Sequence, residues 1–412
     1  MTPWIPILLA LFLFAPQSDF QTQFVNGLNA LNQGKLAEAQ TSLLAAGRLQ
    51  PHNPRVLVAL AQTYRKLGKT ALAADAAAKA ERAGADDPVT LHTLAAYYSE
   101  QKRFAKAAEL EAKCAEKDHA AVPRAMTAYL LAEEPKKAID MAVSTSGWEE
   151  NAEIRNLLGR AYEAYGQILK TIPELEEAIR LKPDNESYYF DLMQVLLSHY
   201  NFDVAIQAGE AGRKIFPWSA QMAIATGVAY FGRNQSDAAI DAFLAAIDLD
   251  PAVEQPYFFL SRLLGESRGR LPEIARRFAD FEKRNPQSYL GYFLHARSLM
   301  VQSLEPEHAE GLLRKSIALD AQYWESHFNL GALLGNRGAW AEAEKEFRRS
   351  TELNPKDPTT HYRLFRALAA LGRTQEAEAE LARQREVAEQ YQADLDRTVG
   401  DVKRLEIPAN KP

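Results

Sequence analysis

Residues 324–357 read WESHFNLGALLGNRGAWAEAEKEFRRSTELNPKD, and this stretch decides the fold. It holds two segments with helical spacing of apolar residues, and it closes at Pro355, which cannot continue a helix because it lacks an N–H group. Gly331 in the first segment and Ala343 in the second are small enough for two antiparallel helices to cross closely, and Phe347 can fill the space beside that crossing. The stretch predicts a helical hairpin whose remaining apolar face only a neighbouring hairpin can bury.

The same pattern recurs along most of the chain with a period of about 34 residues. One column of small residues marks the second helices: Ala39, Ala73, Ala107, Ala138, Ala205, Ala239, Ala275, Ala309, Ala343 and Ala377. A second column closes hairpins: Pro51, Pro183, Pro217, Pro251, Pro286 and Pro355. The columns give eleven units that begin near residues 20, 54, 88, 119, 152, 186, 220, 254, 290, 324 and 358, and the eighth unit holds two extra residues near 267–270. A period held over so many copies indicates a repeat protein.

The unit at 324–357 resembles the tetratricopeptide repeat, which places a large residue and Leu-Gly on its first helix, Ala and an aromatic residue on its second, and Pro at its end. The residues that carry this resemblance are Leu330, Gly331, Leu334, Gly338, Trp340, Ala343, Phe347, Ser350 and Pro355. The resemblance implies an all-α, right-handed superhelical solenoid of about eleven TPR-like helix-turn-helix repeats with a C-terminal capping helix.

We therefore predict four segments. Residues 1–18 are a signal peptide or apolar leader, residues 19–151 hold repeats 1–4, residues 152–391 hold repeats 5–11, and residues 392–412 are the capping helix and tail. Apolar residues keep a spacing of three or four beyond Ala377 without a stop signal, which is typical of a long helix covering the last open face. A docking helix for a partner is the alternative.

Residues 4–14 read WIPILLALFLF, an apolar run with the length of a signal-peptide core, too short to cross a bilayer. We expect the chain to be exported, to the periplasm or outside the cell. Because no Lys or Arg precedes the run, two alternatives stay open: an uncleaved leader that anchors the chain in a membrane, and a leader packed against the first repeat.

The charge balance argues against nucleic acid as a partner. The chain has 48 Lys and Arg residues against 54 Asp and Glu residues, a net charge of −6, whereas proteins that bind DNA or RNA present a basic stripe to the phosphates. After removal of the leader we expect no direct membrane span. The single cysteine, Cys114, excludes an intramolecular disulfide, and we interpret it as a packing residue. Oligomeric state is left open.

The resemblance also implies a binding surface. In the family the first helices line the concave side, and the fifth position of each repeat points into it. From the sixth repeat onward the fifth positions are large and mostly apolar: Phe190, Ile224, Phe258, Leu294, Phe328 and Tyr362. Flanking polar residues could meet a partner's backbone or carboxylates: Gln194, Arg262, Ser298 and Arg366. The alternative is that this column is ordinary core between repeats.

No pattern in the sequence indicates catalysis. The eight histidines include no pair at metal-ligand spacing, and no phosphate-binding loop or nucleophile elbow occurs. We predict no catalytic, cofactor or metal residues and no cofactor. The inner positions also lack the Lys, Asn and Arg cluster with which some members of the family hold a terminal carboxylate. We expect a non-catalytic scaffold or adaptor that binds a protein or peptide segment; the alternative is a permanent structural subunit of a cell-envelope or secretion assembly.

Overall fold

The computed structural model describes residues 19–267 and 269–405, with side chains as far as residue 390. The leader predicted at residues 1–18 and the tail at residues 406–412 lie outside the described residues, so both stay predictions. The chain divides between Lys182 and Pro183 into two compact units, one hairpin later than the boundary that we drew at residue 151. Among the described helices, none is long and apolar enough to cross a membrane.

The first compact unit consists of five helical hairpins. Their helices are α1 (Asp19–Asn32), α2 (Leu36–Leu49), α3 (Pro54–Lys66), α4 (Thr70–Ala83), α5 (Pro88–Ser99), α6 (Phe104–Ala115), α7 (Val122–Leu131), α8 (Pro135–Ser144), α9 (Ala152–Ala164) and α10 (Ile168–Leu181). Two short 3₁₀ helices, His119–Ala121 and Trp148–Glu150, lie before α7 and α9.

The second compact unit consists of six hairpins. Their helices are α11 (Glu186–Ser198), α12 (Phe202–Ile215), α13 (Ala220–Gly232), α14 (Ser236–Leu249), α15 (Gln255–Leu263), α16 (Leu271–Arg284), α17 (Tyr289–Gln302), α18 (Pro306–Leu319), α19 (Trp324–Asn336), α20 (Trp340–Leu353), α21 (Pro358–Ala370) and α22 (Thr374–Leu405). With eleven hairpins and only helices among the described residues, the predicted all-α fold of helix-turn-helix repeats is confirmed. The backbone of α22 runs unbroken into the segment that we predicted as a capping helix.

Polar caps start many of the first helices. The side chain of the residue before the helix accepts a hydrogen bond from a backbone N–H of the first turn, which satisfies a donor that the helix itself leaves unpaired. These caps are Asn53, Asp87, Asn151, Asn185, Ser219 and Asp357. Since these caps recur at the repeat period, the starts of these six first helices are set locally by the sequence.

Within a hairpin, the two helices meet where the first helix has a very small residue. A Cβ atom added to Gly331 would lie 2.9 Å from Cδ1 and Cε1 of Phe347, and one added to Gly227 would lie 2.6 Å from Cε1 of Phe243. The bulky ring of the second helix therefore packs directly onto the backbone of the first. The alanine column is buried as well, with Ala275 the partly exposed exception.

Successive hairpins stack within each unit. Each second helix packs against the first helix of the next hairpin, and in the second unit the first helices also lie side by side. Large side chains fill the core of the second unit between these layers: Phe243, Tyr257, Phe278, Phe281, Phe293 and Phe347. The stacking buries the apolar face that one hairpin would leave in water.

In ten of the eleven hairpins, the described turn between the two helices contains a residue with a left-handed backbone. Gly338 (φ 80°) and Gly372 (φ 72°) have this conformation, and Lys102 (φ 58°) adopts it in the third hairpin. A side chain in this region costs roughly 1–2 kcal/mol, which glycine avoids because it has no Cβ atom. The third hairpin therefore carries local strain at an exposed position.

We expect Gly331→Ala to lower the free energy of unfolding by about 1–2 kcal/mol, since overpacking against the buried Phe347 ring outweighs the better helix propensity of alanine. The matched control is Gly311→Ala on α18, where nothing lies within 4 Å of the new Cβ atom. That variant should gain about 0.5–1 kcal/mol. Urea denaturation followed by circular dichroism measures both, and the reverse order would contradict this packing.

We expect Lys102→Gly to raise the free energy of unfolding by about 0.5–1 kcal/mol because it removes the left-handed strain. Lys113→Gly, at an exposed position inside α6, serves as the control and should lose about 1 kcal/mol. The same denaturation measurement applies. A loss of stability in both variants would show that the turn at Lys102 carries no strain.

Candidate functional site

The residues predicted at the fifth positions differ in exposure. Phe190 and Tyr362 are 37% and 44% exposed, and Phe258 and Phe328 are half-buried. Ile224 is buried on α13. Leu294 has no exposed surface, and neither does its predicted polar neighbour Ser298. The predicted column is therefore partly surface and partly core.

Leu294 and Ser298 do not occupy the fifth and ninth positions that the 34-residue period of the sequence assigned to them. In two other hairpins a small residue of the second helix donates a hydrogen bond to the first-position carbonyl 26 residues earlier, from Cys114 to Pro88 and from Ser350 to Trp324. In the ninth hairpin, Ser316 donates instead to Tyr289, 27 residues earlier. The first position is therefore Tyr289, and the first helix is shifted by one residue.

A second contact gives the same register. The hydroxyl of Tyr257 donates to the carbonyl of Pro251, and that of Tyr292 donates to Pro286, in both cases six residues earlier. Tyr257 is the fourth residue of its unit, so Tyr292 is the fourth residue of a unit that begins at 289. Helix α17 accommodates the shift because it has 14 residues, whereas α13, α19 and α21 have 13. Leu294 and Ser298 are thus corrected to core residues, and Phe293 and Arg297 take the fifth and ninth positions.

We define the first-helix face as the fifth- and ninth-position side chains of the second unit. The fifth positions are Phe190, Ile224, Phe258, Phe293, Phe328 and Tyr362, and the ninth positions are Gln194, Val228, Arg262, Arg297, Ala332 and Arg366. Because α11, α13, α15, α17, α19 and α21 lie next to one another in order, these positions follow one another across the unit, with Ile224 and Phe293 buried between more exposed neighbours. Gln194, Arg262 and Arg366 are exposed.

Charged and aromatic groups meet at the middle of this face. The guanidinium carbon of Arg262 lies 4.9 Å from the ring centre of Phe258, and its Nη2 donates to Oε1 of Glu325 at 2.9 Å. The hydroxyl of Tyr323 donates to Oε2 of Glu325 at 2.7 Å. Burial raises the pKa of Tyr323, and the Glu325 carboxylate raises it further. These contacts connect α15 with α19 across α17.

The fifth-position rings of α19 and α21 differ in burial. The ring centres of Phe328 and the buried Phe347 lie 6.1 Å apart, so Phe328 belongs in part to the core. Tyr362 has the ring of Phe365 at 5.8 Å as its aromatic neighbour. The face therefore combines anchored rings at its centre with more exposed rings near its two ends, at Phe190 and Tyr362.

The His, Cys, Asp and Glu side chains are the ones that could bind a metal ion. Among the residues that the structure describes, no group of three or more His, Cys, Asp or Glu side chains could hold a metal ion. Two histidines have structural partners: Nδ1 of His327 contacts Glu346 at 2.7 Å and Nδ1 of His361 contacts Glu380 at 2.8 Å. Each joins the two helices of its hairpin.

Sequence reasoning missed Phe293 and Arg297, although a signal for them was present. Pro251 precedes Tyr257 by six residues, and Pro286 precedes Tyr292 by six. Aligning the first helices on these prolines, instead of on the alanines of the second helices, would have placed the ninth unit at residue 289. Glu325 and Tyr323 gave no such signal because they become neighbours of Arg262 only after three successive hairpins have stacked.

Two family models, each described as tetratricopeptide repeat, match parts of the chain. One matches residues 337–396, and the other matches residues 24–88 and 190–254. These matches fall in both compact units and agree with the hairpins found there. No curated protein matches the chain.

Solved structures with a similar course of the chain include yeast Tom70, with 14% identity, a TM-score of 0.43 and coverage of 94% of this chain and 95% of that one. The APC/C hetero-tetramer Cut9–Hcn1 gives 13% identity and a TM-score of 0.43 over 95% of this chain and 97% of the other. PilF of Pseudomonas aeruginosa gives 16% identity and a TM-score of 0.36 over 59% and 97%. Nothing about function follows from likenesses of this size.

The corrected register predicts which engineered thiols react. Wild-type Cys114 should react only slowly with a maleimide, because burial raises the pKa of its thiol to about 11. At pH 8 roughly one such thiol in a thousand is ionised, against about a quarter for a thiol of ordinary pKa. We expect Gln194→Cys to react with a maleimide at least about 100 times faster than Ser298→Cys, which is shielded until the helix opens locally.

The pH dependence gives the control. Between pH 8 and pH 10 the wild-type rate should rise about tenfold per unit, since the thiolate stays the minor form below its raised pKa. The Gln194→Cys rate should level off near the ordinary thiol pKa of about 8.5. Equal rates for Gln194→Cys and Ser298→Cys would restore the register of the sequence alignment.

Proposed function

Because this chain is a tetratricopeptide repeat protein, we propose that it is a non-catalytic scaffold or adaptor, and that the first-helix face of its second unit holds a segment of another protein. Tetratricopeptide repeats in general support protein–protein interaction. We infer that this particular face is the binding surface from its own side chains.

One observation carries the proposal: aromatic rings at the fifth positions remain partly exposed in a row that crosses most of the second unit. Phe190, Phe258, Phe328 and Tyr362 stand on α11, α15, α19 and α21. Aromatic side chains supply large contact area at low entropic cost and dominate the energetics of interfaces. A stacked array could have buried all of them, as it buries Phe293.

The length of the face suggests what it holds. Packed helices lie about 8–10 Å apart, so the five steps from α11 to α21 cover roughly 45 Å. An extended chain rises about 3.3 Å per residue, which corresponds to about 14 residues. An extended segment of that length could place alternate side chains between the exposed rings while the ninth-position Gln194, Arg262 and Arg366 meet its polar groups.

We test this with Phe190, Phe258 and Tyr362 changed together to Ser. These three are chosen because Phe328 contacts the core and its loss would disturb folding. Crosslinking in the native cells, followed by affinity purification, should capture a partner with wild type and at least about tenfold less of it with the triple variant. Circular dichroism should show that the variant keeps its helices.

A control variant replaces the same number of exposed apolar side chains elsewhere in the unit. Ile215, Leu249 and Leu304 lie at helix ends and in a turn, away from the first-helix face, and their joint change to Ser should leave capture intact. Equal capture by wild type and the aromatic triple variant would reject the face as the binding surface. A partner that then stays bound in fixed stoichiometry would favour the permanent structural subunit.

A further inference from the structure

Two arginines occupy the ninth position of adjacent hairpins, on α15 and α17. Each lies over the aromatic ring of the fifth position of its own helix: Arg262 over Phe258 at 4.9 Å and Arg297 over Phe293 at 5.9 Å. A ring below a guanidinium restricts its orientation and attracts its charge. The two cations therefore present their hydrogen-bond donors at the centre of the first-helix face.

A single carboxylate serves this pair of cations. Glu325 is only 7% exposed, and both of its oxygens are occupied, one by Nη2 of Arg262 and the other by the hydroxyl of Tyr323. Arg297 is close enough for Glu325 to act on it electrostatically, yet it forms no ion pair with any residue that the structure describes. The site thus carries one unbalanced positive charge.

The charge of Arg297 is also poorly hydrated. Burial lowers the pKa of its guanidinium; the Glu325 carboxylate opposes this, and the positive Arg262 adds to it. Arginine nevertheless stays protonated in proteins, so the side chain keeps its charge and bears the cost of partial burial without a partner. An anion that arrives with a ligand would find donors already oriented and would relieve this cost.

We propose that Arg297 receives a carboxylate side chain of the bound segment, so that the segment held on the first-helix face is an acidic peptide. This inference rests on the proposed function, because it places the carboxylate within the row of exposed rings. Phe258 and Phe328 flank the position on the neighbouring helices and would take apolar residues of the same segment. Glu325 repels the acidic residue only weakly, since Arg262 and Tyr323 already satisfy it.

A binding role of Arg297 and a structural role predict opposite effects of its replacement. Arg297→Met keeps an unbranched side chain over Phe293 and removes a poorly hydrated charge, so the variant should be as stable as wild type or more stable. Affinity for an acidic peptide should fall about 10- to 100-fold, the value of one charge-assisted hydrogen-bonded contact. A structural cation would behave in the opposite way, with stability lost first.

The probe is a displayed library of random 14-residue peptides, selected against the full chain. Selected peptides should carry Asp or Glu at one shared position between apolar residues. For the best of them, fluorescence anisotropy should give the stated loss with Arg297→Met. The control, Arg160→Met, changes an exposed ninth-position arginine of the first unit and should leave the affinity unchanged.

Glu325→Gln is a second variant that tests the proposal independently, should Arg297→Met not fold. Removing the one carboxylate while keeping a hydrogen-bonding side chain leaves both arginines unpaired, so the acidic peptide should bind about three- to tenfold more tightly. Weaker binding to Glu325→Gln would overturn the inference.

The experiments distinguish failure of the acidic partner from failure of the binding face. Peptides that bind at the exposed rings without a shared acidic residue, or without loss in Arg297→Met, reject the acidic partner and leave the binding face standing. A library that yields no binding peptide rejects the face as a peptide site and the acidic partner with it.

Discussion

The contact between a glycine of the first helix and a bulky side chain sixteen residues later is the constraint on which several hairpins depend. It occurs in both compact units, in the pairs Gly27–Leu43, Gly159–Leu175, Gly227–Phe243 and Gly331–Phe347. Any Cβ atom at the glycine would lie within 3 Å of the bulky side chain, so the distance between the helices is set by contact with the backbone itself. With that distance fixed, the remaining apolar surface of the hairpin faces its neighbours and drives stacking.

The first-helix face depends on a second contact, between hairpins. The fourth residue of a repeat unit bonds the carbonyl six residues earlier, in the loop that leaves the preceding helix: Tyr257 to Pro251, Tyr292 to Pro286, His327 to Ala321 and His361 to Pro355. The direction of the fourth side chain is thereby fixed, and the fifth lies about 100° further around the helix. The contact therefore also determines which residue reaches the first-helix face.

These two contacts explain what the sequence could and could not predict. The number of hairpins and the approximate start of each followed from a local repeat, because most hairpins carry their own turn residues and small residues, and several carry a polar cap. The register predicted for the first helix of the ninth hairpin was wrong. Its second-helix marker, Ala309, keeps the period, whereas α17 begins one residue early. A one-residue shift moves every side chain around the helix, which exchanged Leu294 and Ser298 for Phe293 and Arg297. The Arg262–Glu325 pair joins residues 63 positions apart and depends on the stacking of three first helices, which no local pattern encodes.

The charge of the first-helix face differs from that of the chain as a whole. The chain carries a net charge of −6, yet its ninth positions in the second unit hold three arginines and no acidic residue. Gln194, Arg262 and Arg366 are exposed, so burial in the core does not account for the residue types at these three ninth positions. Apolar rings supply contact area to many partners, whereas charge discriminates among them and steers their approach. In the binding role that we propose, the rings at position five would supply contact area to a segment, and the arginines at position nine would select segments that carry a carboxylate.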